Sequence, residues 1–186
     1  LARCRAELLL RGPEGDALSM VLGIAQLARL GEPHDPWLEH LGACAEDLAA
    51  SLRGSAQLTT LQRRALLATI AFFDAADQRR ATADATKILQ RMSATTVPCE
   101  RPADIGASLA AWIEDRLVRT DAPDTATLLA EGMPAEWRGH NFEVYGLPAG
   151  TAATVSYAVR WHGERPAALW EVHGQRGVLR GPGGGR

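Results

Sequence analysis

The sequence is short of lysine. Lys87 is the single one, and arginine supplies the other nineteen of the twenty basic residues. With alanine so abundant, that imbalance reads as coding bias in a GC-rich genome and not as a phosphate-binding adaptation. Charge excess is also missing. The formal net charge of −2 leaves no electrostatic footprint for nucleic acid or for an anionic membrane surface. Cysteine is sparse: Cys4, Cys44 and Cys99 lie far apart, with no CxxC pair. An odd, scattered set argues against a disulfide framework, and no base stands beside any of the three, so all read as inert thiols. No apolar run reaches the length of a membrane span. The best, Leu18 to Leu30, is broken by Gly23, Gln26 and Arg29. No cofactor motif is present, and the chain opens Leu1-Ala2-Arg3-Cys4 without methionine, so the native start is expected upstream. The expected location is cytoplasmic.

What is present is hydrophobic material, 46% of the residues, which excludes a disordered chain and suffices for one or two packed domains. Residues 1–131 carry a period near 3.6. Asp16 or Gly15 can cap a first helix through Leu18, Val21, Leu22, Ala25 and Leu30, closed by Gly31. Asp35 as N-cap and Pro36 at the first helical position open a second, with Trp37, Leu38, Leu41, Ala45, Leu48 and Leu52, ending at Gly54. Thr59 or Thr60 opens a third, with Leu61, Ala65, Leu66, Ile70 and Phe73. A fourth runs from about Ala81 to Met92, and Asp104 starts a fifth with Ile105, Leu109, Trp112, Ile113 and Leu117. Short connections imply packed helix hairpins. Trp37 and Trp112 fall at core spacing. The Arg63-Arg64 and Arg79-Arg80 doublets read as solvated surface. His34 lies in the turn before the helix that carries His40, so the two do not form an i,i+4 metal pair and no metal site is expected.

From about residue 132 to 181 the period is two. Asn141 to Gly146 can form a strand, with Leu147-Pro148-Ala149-Gly150 as a turn or loop. Thr154 to Trp161 alternates, placing Val155, Tyr157, Val159 and Trp161 on one face and Ser156, Ala158 and Arg160 on the other. Ala167 to Val172 is a third strand, and Val178-Leu179 adds a fourth. Gly163-Glu164 is a type II′ hairpin signature. It sets His162 opposite Arg165, Trp161 opposite Pro166, Val159 opposite Ala168, Tyr157 opposite Trp170 and Val155 opposite Val172. The stripe containing Tyr157 and Trp170 is expected to be buried. Residues 182–186 read as a flexible glycine-rich tail. The expected class is α+β and mainly α: helix hairpins over 1–131, then a small antiparallel β module over 132–181.

Three stretches carry a resemblance: Glu136-Trp137-Arg138-Gly139, Phe142-Glu143-Val144, and the run from Val155-Ser156-Tyr157-Ala158-Val159-Arg160-Trp161-His162-Gly163-Glu164-Arg165-Pro166 to Ala167-Ala168-Leu169-Trp170-Glu171. Together they resemble the C-terminal segment of bacterial, often actinobacterial, proteins of the six-hairpin glycosidase-like superfamily. The resemblance covers forty to fifty residues. It implies an (α/α) barrel accompanied by a β-rich module, and carbohydrate chemistry by two carboxylates set apart to admit water. Six hairpins need twelve helices, and the five or six here make up only part of such a barrel. No catalytic acid or base is assignable; Glu136, Glu143 and Glu171 are merely carboxylates near aromatics. Two functions follow as expectations. One is carbohydrate binding, with Trp137, Arg160, Trp161 and His162 as the ligand surface. The other is a non-catalytic structural or interaction scaffold. Accessible indoles sharing one concave surface favour the first, and full burial favours the second.

Overall fold

The computed structural model describes residues 16–92, 95–103 and 106–182. Cys4, the alternative cap Gly15, the predicted helix start at Asp104-Ile105 and the tail beyond 182 lie outside them. The fold is α+β and mainly helical, and the chain divides into two compact units, Leu1–Trp112 and Ile113–Arg186.

The first unit contains α1 (Ala17–Arg29), α2 (Leu38–Ser51), α3 (Thr60–Ala75) and α4 (Arg79–Arg91). The Asp16 carboxylate caps α1 by accepting the Ser19 N–H at 3.1 Å, and Gly31 leaves the helix at φ 94°. A reciprocal box opens α3: Thr59 Oγ1 accepts the Gln62 N–H at 3.2 Å, and Gln62 Oε1 accepts the Thr59 N–H at 2.9 Å. Asp35 is not the predicted cap. It sits inside a 3-10 turn, Asp35–Trp37, that leads into α2, because the tighter turn accommodates Pro36 before α2 begins. Short strands β1 (Leu58–Thr59) and β2 (Thr96–Val97) pair in parallel.

α3 is the centre of this unit, packed against α1, α2 and α4. Ile24, Leu27, Trp37, Leu41, Leu58, Leu61 and Ala65 are almost wholly buried in one core. Having neighbours on several sides, α3 also buries Arg63 and Arg64, which corrects the solvated reading of that doublet; Arg79 and Arg80 are exposed as expected. Trp37 is core, and Trp112 is half-buried, its indole N–H donating to the Cys99 carbonyl at 3.1 Å. His34 packs edge-on against Phe72 at 4.7 Å, and His40 is exposed, its ring 6.3 Å from that of Trp37. Cys44 is buried; desolvation first, and Asp47 second, push its thiol above the usual range, which suits an inert thiol.

The division between units falls within α5 (Ala107–Leu117). The helical expectation through residue 131 fails after Leu117. There the chain enters β3 (Val118–Ala122) and turns at Pro123-Asp124 into β4 (Thr125–Leu128), an antiparallel hairpin. The β-branched Val118, Thr120, Thr125 and Thr127 favour the pleated form over a sixth helix. After a 3-10 turn, Ala135–Trp137, come β5 (Phe142–Pro148), β6 (Ala153–His162), β7 (Arg165–Gly174) and β8 (Val178–Arg180). β5, β6 and β7 form an antiparallel sheet in that order; β8 leaves it and pairs in parallel with β4. The two sheets share a core of Val118, Ala126 and Leu128 with Val144, Leu147, Val155, Tyr157 and Val159. At one end the chain crosses itself closely. A Cβ on Gly174 would lie 2.3 Å from the Ala152 carbonyl oxygen, and one on Gly177 would lie 2.3 Å from that of Asp124.

Candidate interaction surface

The β6–β7 register is the predicted one throughout, from His162 opposite Arg165 to Val155 opposite Val172. Gly163 has φ 67° and Glu164 is not among the positive-φ residues, which is the type II′ pattern. The predicted burial of the stripe holds only in part. Val155, Tyr157 and Val159 are buried, but Trp170 is 62% exposed and Val172 is exposed too. The reason is coverage: among the described residues, no β7 side chain belongs to the core shared by the two sheets.

The four predicted ligand-binding residues do not form one surface. Arg160 lies on the outer face of β6, where its guanidinium pairs with the Glu143 carboxylate, which also accepts the Tyr145 hydroxyl. Trp161 points to the opposite face, half-buried against the core, and its indole Nε1 is buried without a hydrogen-bond partner. Strand alternation alone separates these neighbours. His162 is exposed at the hairpin end, on the parity of Arg160. Trp137, in its 3-10 turn, is 38% exposed and meets Phe142 edge-on at 5.0 Å; Phe142 in turn meets Tyr157 at 6.2 Å. That aromatic series runs from surface to core. Of the three carboxylates near aromatics, Glu143 is engaged by Arg160 and Tyr145, and Glu171 lies 3.4 Å from His173 Nε2. Among the described residues no group of three or more His, Cys, Asp and Glu side chains could hold a metal ion.

Tyr157 anchors the module. Its hydroxyl donates to the Leu117 carbonyl at 3.2 Å, and burial pushes its phenol well above the usual value. A folded-state value raised above the unfolded one, about 10, means the unfolded chain releases the proton first. Stability therefore falls as pH rises past that value. Tyr157→Phe has no proton to lose there, so its melting temperature should decline less steeply above about pH 10. At neutral pH it should give up about 1 kcal/mol for the missing hydrogen bond. Parallel pH profiles for parent and variant would refute this.

The feature that the residue pattern did not give is the exposure of β7, a strand it did place. All ten residues of Arg165–Gly174 are exposed, on both faces, and β7 is a terminal strand of its sheet. Trp170 and Val172 occupy one face; Leu169, 68% exposed, occupies the other. A two-residue hairpin loop is flanked by a hydrogen-bonded pair, here His162 with Arg165. Alternation then directs the backbone groups of Pro166, Ala168, Trp170 and Val172 away from β6. The signal was present in the sequence: Pro166-Ala167-Ala168-Leu169-Trp170 has no polar residue at any position, so neither face of this stretch is polar.

Among the described residues, no helix is long and apolar enough to cross a membrane. No family model matches the chain, and neither the curated proteins nor the solved structures provide a match.

Proposed function

We propose that this chain is the helical-hairpin and β-module portion of a six-hairpin glycosidase-like protein, and that it works as a non-catalytic interaction scaffold. The observation that carries this reading is β7, a ten-residue strand open on both faces and along its outer edge. Edge strands of such length and apolar character are normally blunted or covered, because their free amides template further pairing. Trp170 and Val172, both exposed, stand at positions where those amides point outward.

Carbohydrate binding is the second reading, favoured by the exposed indoles of Trp137 and Trp170. A sugar site needs hydrogen-bonding groups around the stacking ring. The same-face neighbours of Trp170 along β7 are Ala168 and Val172, which have none. Titration with gluco-oligosaccharides followed by tryptophan fluorescence, with reducing-sugar release measured in parallel, separates the two. The scaffold reading expects no saturable change and no turnover. Saturable binding lost in Trp170→Ala, or turnover lost on replacing one glutamate, would establish the carbohydrate reading instead.

A further inference from the structure

We propose that two copies of this chain pair through β7, antiparallel, about a twofold axis at Ala168. This rests on the interaction reading above and names the partner. The strand is polarised along its length. Arg165, Pro166, Ala167 and Ala168 supply a cation and small residues; Leu169, Trp170, Glu171 and Val172 supply large residues and an anion; His173 and Gly174 lie beyond this segment. Parallel pairing in register would lay arginine on arginine and tryptophan on tryptophan. Antiparallel pairing about Ala168 sets Arg165 opposite the partner's Glu171, and symmetry repeats that ion pair.

Size complementarity follows the same register on both faces. Leu169 stands opposite the partner's Ala167, and Trp170 opposite the partner's Pro166, large against small each time. The backbone agrees in parity. Ala168 would exchange both hydrogen bonds with the partner's Ala168, and the Trp170 N–H would donate to the carbonyl of the partner's Pro166. Pro166 has no N–H, so the ladder is limited at its ends. Glu171 is free to take a second cation: its contact with His173 is between exposed side chains, and Arg165 is exposed as well. One edge per chain is consumed, so assembly stops at two.

Sedimentation velocity from about 1 µM to about 1 mM protein is expected to show a reversible monomer–dimer equilibrium. Glu171→Arg or Arg165→Glu alone should weaken it about tenfold or more, since like charges then face each other twice. The double variant Arg165→Glu/Glu171→Arg should restore it. All three change exposed side chains, and circular dichroism confirms that they fold. Three results would overturn the proposal: a monomer at every concentration, assembly beyond two, or a dimer indifferent to both single reversals. A monomer that binds no oligosaccharide removes this pairing and leaves the scaffold reading intact. A monomer that binds oligosaccharide at Trp170 removes both.

Discussion

Truncating Tyr157 to alanine should cost the β module on the order of 3–5 kcal/mol. Truncating Trp170, its direct partner across the ladder, should leave the melting temperature nearly unchanged at concentrations where the chain is monomeric. The two residues share a rung of the sheet and point to the same face. They differ in what lies over them. Tyr157 is 3% exposed, touches Phe142 edge-on and donates to the Leu117 carbonyl, so its removal empties a packed site and takes away one of that carbonyl's two donors, the Leu129 N–H remaining at 3.0 Å. Trp170 buries little, and substitutions at such sites usually stay within about 0.5 kcal/mol. Thermal melts of the two alanine variants test the pair together. A Trp170→Ala variant that melts as low as Tyr157→Ala under those conditions would show that β7 is covered within the monomer.

The second large effect belongs to the helical unit. Trp37→Ala should cost on the order of 3–5 kcal/mol, a large part of the stability of an ordinary domain. Trp37 is 1% exposed and packs within the same core as Leu41, Leu61 and Ile24. It also ends the 3-10 turn that starts α2, so the cavity would open where the helix is launched. Far-UV circular dichroism during denaturation should show a lowered helical transition. A midpoint within error of the parent would mean that the α1–α2 connection does not seal this core.

Local chemistry explains which parts of this architecture could be read from residues. Asp16 and Thr59 satisfy backbone donors a few positions away, and Gly31 and Gly54 adopt positive φ just beyond their helices, so these four boundaries are written within one turn. The hairpin at Gly163-Glu164 fixes its register for the same reason, since a two-residue loop admits only one pairing. The β3–β4 hairpin was not legible. It follows α5 without a breaker, and its strands of five and four residues are too short for alternation to stand out against the neighbouring helical period. The burial of Arg63 and Arg64 depends on how many neighbours α3 acquires, which periodicity does not count. Trp170 illustrates the same limit in reverse. Its rung could be derived, but whether anything lies over that rung depends on the reach of the second sheet. Arg160, Trp161 and His162 looked like a cluster because they adjoin in sequence, and the pleat sends alternate members to opposite faces.

The crossing at Gly174 and Gly177 bears on the order in which the second unit can assemble. β3 with β4 and β6 with β7 are hairpins, closed by short loops at small entropic cost. The parallel β4–β8 pair joins segments about fifty residues apart. Its Val178 N–H reaches the Asp124 carbonyl at 2.7 Å only after the chain has passed beneath two peptide carbonyls that tolerate no side chain. Loop-closure entropy therefore favours forming both hairpins before β8 docks. On a ribosome β8 is also made after the other described strands of this unit, so β4 waits with one edge unpaired until the residues after Gly177 emerge.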